Sequence, residues 1–268
     1  MLFEDCLVVV RGGGDLASGA VYQLHHAGFP VMVLELEQPL AIRRAVSFAS
    51  AVDEGSVVVE GTKAVLANSP DEAMRLVADG TVCVLVNPSL PDFTPSPSVV
   101  VDARMAKRNI DTTIDQAPLV VALGPGFEAG VNCHVVVETQ RGHRLGRVIP
   151  QGHAQPDTGV PGEVGGRRSE RLVRAPITGV VSWDMSIGDS VEIGQSLGSV
   201  GDERIIASVG GVIRGLISDG HEVSKDLKIA DIDPRGDRSA CFEISDKARL
   251  VGAGVLGAVL GWLNGPVR

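Results

Sequence analysis

The chain has 268 residues, 33 of them glycine and nine aromatic, with a formal net charge of −9 at pH 7. That length holds one large domain or two modest ones, and 44% hydrophobic with 21% charged residues is the composition of a folded globule. Acidic residues outnumber basic ones in both parts of the chain, 20 to 14 up to Arg171 and 13 to 10 beyond it. Stacking aromatics are scarce, so the balance argues against nucleic acid as a partner.

The first third reads as alternating strands and helices. Residues 7–10 are a short apolar run, 15–27 are helix-like, and 31–36 form a second apolar run. Ser69 and Pro70 open a helix over 71–79 that stops at Gly80. A β-rich run follows at 81–86, then a loop with Pro88, Pro91, Pro95 and Pro97, then buried-strand candidates at 99–101 and 119–123. Continuous apolar strands alternating with helices predict a mainly parallel sheet, a Rossmann-like α/β domain over 1–141. Residues 142–171 turn to glycine, arginine and polar residues without a period and read as a connecting region.

An internal repeat follows. A shift of 32 residues carries Ala175, Gly179, Val180, Ser186, Gly188 and Val191 onto Ala207, Gly211, Val212, Ser218, Gly220 and Val223. Two copies predict a pseudo-twofold β barrel or sandwich over 172–234. The tail, 235–268, holds a helix with Ser245 as its cap and Asn264-Gly265 at its end; Gly254, Gly257 and Gly261 permit close helix contact.

The longest uncharged apolar run, 250–263, is short of the ~20 residues that span a bilayer. With no basic stretch leading into an apolar core at the N-terminus, the expectation is a cytoplasmic chain with no membrane partner. Cys6, Cys83, Cys133 and Cys241 lie far apart, and the histidines lack ligand spacing, so neither disulfides nor a metal site are expected. Cys133 and His134 look like a dyad, but adjacent side chains of a strand point to opposite faces.

The strongest candidate site is at the front. Gly12, Gly13, Gly14, Asp15 and Ala17 follow the first strand and satisfy G-x-G-x-x-A. Such a loop turns tightly, lets backbone approach a phosphate and offers free helix amides to an anion. Glu35 ends the second strand, where an acid would meet a ribose hydroxyl. The alternative is a purely structural turn, with Asp15 capping the amides itself. Arg43 and Arg44 offer paired guanidiniums for a phosphate or carboxylate, or ion pairs to Glu35 and Glu37. Asp102, Arg104 and Lys107 begin where a strand ends, and Gly124 and Gly126 form a second glycine loop. Glu138, Arg141 and His143 bring acid, base and imidazole together.

Two resemblances carry the reading further. Residues 172–234 resemble the biotinyl/lipoyl domain in Arg174 to Val180, Gly188 to Val191 and Gly194-Gln195, but no lysine occurs from Leu172 to Ser224. The resemblance therefore implies the barrel without covalent biotin or lipoate. Almost the whole chain resembles the YqeB-type accessory proteins of selenium-dependent molybdenum hydroxylases. The matching stretches are Val8 to Ala17, Ala41 to Phe48, Ala106 to Asn109, Leu123 to Phe127, Glu138 to His143, Asp231 to Arg235 and Ile244 to Arg249; Gly257 departs from the pattern, which has an acid there.

That resemblance implies a maturation factor rather than a stand-alone enzyme. Its ligand would be a small phosphate-bearing cofactor, either the molybdenum cofactor or a nucleotide (NAD(P) or adenine nucleotide), and its protein partner a molybdenum hydroxylase client. An NAD(P)-dependent oxidoreductase and a non-catalytic interaction module are the alternatives, and the oligomeric state, homo-oligomer included, stays open.

Overall fold

The structure, a computed structural model, describes residues 1–159, 163–167 and 169–265. The parts of the connecting region at 160–162 and 168, and of the tail at 266–268, lie outside the described residues. The chain divides into two units: Met1–Pro39, Phe48–Thr158 and Ile244–Arg268 form the first, Leu40–Ser47 and Gly159–Glu243 the second.

The first unit is built on strands β1 (Val8–Arg11), β2 (Val31–Glu35), β3 (Ser56–Val59), β4 (Thr62–Ala67), β5 (Val82–Val86), β6 (Val99–Asp102), β7 (Leu119–Leu123), β8 (Val135–Val137) and β9 (Val148–Ile149). They make one sheet in the order β3-β4-β5-β2-β1-β6-β7-β8-β9. The seven strands from β4 to β8 in that order run parallel, while β3 and β9 are antiparallel at the two edges.

Both faces of the sheet are apolar, which is why the strands read as continuous hydrophobic runs. Val9, Met32, Leu34, Cys83, Leu85, Val100, Val120 and Val136 pack with Ala73 and Val77 of helix α3 (Pro70–Ala78) and with Phe93 and Phe127 of long connections. Ser69 caps α3 by accepting from the Glu72 N–H at 3.2 Å. The alternate residues, among them Val8, Val10, Val33 and Val101, are equally buried. That side carries helix α1 (Asp15–His26), on β1 and β2, and helix α4 (Asp246–Leu263), on β7, β8 and β9; a short helix α2 (Ala51–Glu54) precedes β3.

α1 and α4 touch backbone to backbone. A Cβ on Gly19 would collide with the Ala248 carbonyl, and one on Gly252 with the Gly19 carbonyl. Gly254 fits against the carbonyl of Gly146 in the same way, whereas Gly257 and Gly261 face open space.

The second unit contains β10 (Leu172–Arg174), β11 (Gly179–Trp183), β12 (Ser190–Val191), β13 (Ser196–Val200), β14 (Glu203–Ile206), β15 (Gly211–Leu216), β16 (Glu222–Val223) and β17 (Lys228–Asp233). They form two four-stranded antiparallel sheets, β10-β17-β15-β12 and β14-β13-β11-β16. Val181, Leu197, Val200, Ile213, Ile229 and Ile232 share one core between them. The 32-residue repeat is visible in the register: Val181 pairs with Val200 as Ile213 pairs with Ile232. Asp231 and Asp233 of β17 are buried, paired with Arg171, Arg214 and Arg235.

This corrects the fold class expected from sequence. The sheet is mixed, with antiparallel strands at both edges, rather than a Rossmann-like parallel sheet. No α-helix separates β5, β6, β7 and β8, and α4, from the far end of the chain, covers the face that local crossover helices would cover. The second unit is a pair of separate antiparallel sheets rather than a biotinyl/lipoyl-like barrel-sandwich. It also draws in residues 40–47, with Arg43 bridging Leu216 of β15. No helix among the described residues is long and apolar enough to cross a membrane.

The glycine contacts of α4 give a paired prediction. Gly252→Ala should cost about 1–3 kcal/mol through overpacking, while Gly257→Ala, at an open helical position, should gain up to ~1 kcal/mol. Urea unfolding of the two variants against the parent chain measures both.

Candidate functional site

Because the seven central strands are parallel, their carboxyl ends share one edge of the sheet. In an open sheet of this kind ligands bind in the crevice at that edge. From it leave Arg11 and the glycine loop (β1), Glu35 (β2), Pro88 (after β5), Asp102 and Arg104 (β6), Gly124 and Gly126 (β7), and Glu138 and Arg141 (β8).

The glycine loop is held at its first two positions and open at the third. Gly12 has φ +91°, and a Cβ there would stand 3.1 Å from the Arg104 Cα, so only glycine fits without strain. Gly13 donates its N–H to Glu35 Oε1 at 2.7 Å and accepts from the Ala49 N–H at 2.9 Å. The second Glu35 oxygen accepts from Leu36 N–H, also at 2.7 Å. Burial pushes the Glu35 carboxyl up, against the pull of these two amides. Glu35 thus binds the loop's own backbone where the sequence places a ribose hydroxyl. Gly14 precedes α1 with extended backbone and no side-chain cap, and a Cβ on it would meet nothing. Ala17 is fully buried.

The first turns of α1 and α4 come together beside this loop. Lys247 of α4 feels Asp15, Glu138 and Asp246, which favour its charge, and Arg141, which opposes it; burial is the largest influence and lowers its pKa. Arg141 grips Asp246 with two bonds of 2.7 and 2.8 Å. Glu138 is buried, with its oxygens accepting from the Gln140 and Gln155 N–H groups at 2.8 Å each. His143 is exposed.

A second cluster holds Arg104. Its guanidinium clasps Asp102 at 3.1 and 2.6 Å and also reaches Asp111 at 2.7 Å, while Thr112 donates to Asp102 at 2.6 Å. Arg11, 1% exposed, completes the group through Asp111 at 2.8 Å. Lys107 forms an exposed pair with Asp157 at 2.7 Å. Met105 and Lys107 both have positive φ, +56° and +61°, conformations that cost energy outside glycine. The Gly124–Gly126 loop is filled rather than open: a Cβ on Gly126 would lie 2.6 Å from the Arg108 backbone, and one on Gly124 2.5 Å from Thr139 Oγ1.

Arg43 and Arg44 are not at this edge. They belong to the second unit, where Arg43 donates to the Ala240 and Glu243 carbonyls and Arg44 to that of Leu216. The Cys133 thiol is pushed up to about 12 by burial, and His134 Nδ1 accepts from the Val120 N–H at 2.9 Å, so the imidazole is engaged with backbone. Among the described residues no three or more His, Cys, Asp or Glu side chains converge as a metal site. Sequence reasoning passed over Arg11 and Lys247 as site residues. Arg11 carried a signal, an arginine at the end of a wholly apolar strand; Lys247 lay within the matching stretch Ile244 to Arg249, but its place beside Asp15 depends on the α1–α4 contact.

These elements define a two-unit chain: a mixed α/β sheet with charged residues gathered at its strand ends, and a pair of antiparallel sheets. A curated relative matches most of this chain. The chain is 48% identical over 256 residues to the uncharacterized protein YqeB of Escherichia coli K12, a match covering 95% of this chain and 47% of YqeB. The chain therefore spans about half the length of that relative, and the identity supports its likeness to YqeB-type proteins. No protein-family model matches the chain.

Solved structures with some similarity include a succinylglutamate desuccinylase/aspartoacylase from Rhodobacter sphaeroides (16% identity, TM-score 0.27). Another is an aspartoacylase family protein from Mesorhizobium loti (14%, TM-score 0.28). Each match covers 85% of this chain and 84% of the other. Scores at that level carry no argument about fold or chemistry.

Two measurements probe the site's energetics. Asp102→Ala removes the buried partner of Arg104 and Thr112 and should cost roughly 3–5 kcal/mol, whereas Lys107→Ala, at an exposed pair, should change stability by less than about 1 kcal/mol. The raised Glu35 carboxyl is neutral more readily in the folded state than in the unfolded chain. Its contribution therefore grows as pH falls through its folded-state pKa and is lost as pH rises. Stability of the parent relative to Glu35→Gln should accordingly increase on acidification toward the ordinary carboxylate range; a difference independent of pH would contradict this.

Proposed function

We propose that the chain is a maturation factor for a selenium-dependent molybdenum hydroxylase, and that it binds a phosphate-bearing cofactor, of molybdopterin or nucleotide type, at the Gly12–Gly14 loop. The observation that carries this reading is the uncapped start of α1 at Gly14, open to a ligand, with Lys247 beside its first turn. Amides of that turn would receive the phosphate, since a helix N-terminus attracts an anion. Lys247 and Arg141 would offset the charge of Asp15. Glu35 would release the Gly13 N–H and turn to a ligand hydroxyl or amine.

The fit lies with the phosphate and the organic part of the ligand. No ligand cluster for the metal is present among the described residues, and burial pushes the Cys83 and Cys133 thiols to about 12. In this reading the cofactor is cargo, and the second unit docks the client. A second reading, an oxidoreductase using a nicotinamide nucleotide, is favoured by Glu35 standing at the end of β2 beside the loop.

Calorimetric titration with molybdenum cofactor and with adenine nucleotides tests the first reading, and steady NAD(P)H consumption with an aldehyde would favour the second. Gly14→Asp should abolish saturable binding while raising stability by a few tenths of a kcal/mol, because aspartate caps α1 and its charge repels phosphate. Lys247→Met should weaken binding about tenfold, roughly 1.4 kcal/mol. Absence of saturable binding to either ligand class by the parent chain would overturn the cofactor-binding half of the proposal.

A further inference from the structure

Arg11 is a buried charge whose strong anionic bond comes from a half-exposed side chain, Asp111. Its guanidinium ends β1 with 1% of its surface exposed, and its Nε has no hydrogen-bond partner. Contacts to Thr112 Oγ1 and to the Pro88 carbonyl are long, 3.4 Å each. The short bond, 2.8 Å, goes to Asp111 Oδ2. Asp102, the buried acid nearby, is committed to Arg104 and Thr112. A buried guanidinium without an anion costs several kcal/mol, so Arg11 needs Asp111 or something that replaces it.

Asp111 is suited to being replaced. Its side chain is 44% exposed, and it enters the site from the connection between β6 and β7, with one oxygen on Arg11 and the other 2.7 Å from Arg104 Nη2. A single carboxylate thus bridges two guanidiniums, the geometry in which arginine recognises free oxyanions. The segment that delivers it is fastened locally: Gln116 donates to the Asp111 carbonyl at 3.0 Å, and Asn109 brackets Thr112 with two bonds of 2.8 Å. The same connection stores backbone strain at Met105 and Lys107.

We propose that Arg11 and Arg104 form a binding site for the oxyanion of a small ligand, a carboxylate or a phosphate, and that Asp111 occupies it until the ligand displaces it. The site stands apart from the cofactor reading above, because it needs neither the uncapped α1 nor Lys247. A resident carboxylate scales the apparent affinity for any competing anion down to the fraction of molecules in which it is out of the site. Both guanidiniums remain charged throughout, and no proton moves.

The test uses the full chain with two probes, sodium phosphate and sodium acetate, followed by calorimetry and by thermal unfolding. Asp111→Ala should bind one of them at least about tenfold more tightly than the parent and recover, on adding it, the melting temperature lost by the substitution. Asp111→Asn keeps the shape, removes the charge and should show the same gain. Adding Arg104→Gln should erase it. Tighter phosphate binding identifies a phosphate ligand and tighter acetate binding a carboxylate. If neither anion binds either variant more tightly than the parent or restores its folding, the proposal fails. Phosphate bound at the glycine loop would be common to the parent and the Asp111 variants, so the gain on removing Asp111, erased by Arg104→Gln, reads the Arg11–Arg104 site alone.

Discussion

The close approach of α1 and α4 is the constraint on which the first unit depends. The sheet is apolar on both faces, and on one of them the helix of local origin over β1 and β2 is α1. The strand connections on the β6–β8 side supply no α-helix, so that part of the face would stand open to water without the last described helix of the chain. Closure is possible because Gly19 and Gly252 present bare backbone where side chains would hold the helices apart, and Gly254 does the same for α4 against the Gly146 carbonyl. The same contact sets the chemistry at the strand ends: it places Lys247 beside Asp15, and Arg141 then reaches Asp246 across the first turn of α4.

A second constraint is the handling of charge at the sheet edge. Arg11, Asp102 and Glu138 are buried there, and each is matched by a carboxylate, a guanidinium or a pair of backbone amides. The first unit therefore keeps its polar groups in two clusters with different character. One is a network of opposite charges around Arg104. The other joins a helix start without a side-chain cap to a lysine whose charge burial disfavours. The exposed partners, Asp111 above all, are the parts free to exchange.

Local signals were readable where the physics is local. The apolar runs became β1, β2, β5, β6 and β7; Ser69 and Ser245 cap helices as their spacing predicts; and the 32-residue shift reappears in the strand register. What escaped the sequence depends on distant residues. The hairpin of β3 and β4 had its turn residues in view, Glu60 and Gly61 at φ +45° and +83° after the β-branched run Val57–Val59, yet its membership of the sheet required β5 as neighbour. Glu35 has the position of a ribose-binding acid, but nothing in its spacing reveals that the Gly13 amide claims it. Arg43 and Arg44 follow β2 directly and still serve carbonyls of another unit, a choice made by residues 216, 240 and 243.

The register of the repeat has a consequence for how the second unit is put together. The sheet β10-β17-β15-β12 takes its outer strands from the first copy and its inner strands from the second; the other sheet reverses the exchange. Neither copy owns a complete sheet, so neither can bury its apolar residues by itself. The unit is in effect a dimer of 32-residue halves that have traded strands and been sewn together by the turn at Gly201 and Asp202. Its stability is consequently indivisible: loosening a strand of one half exposes the core of both.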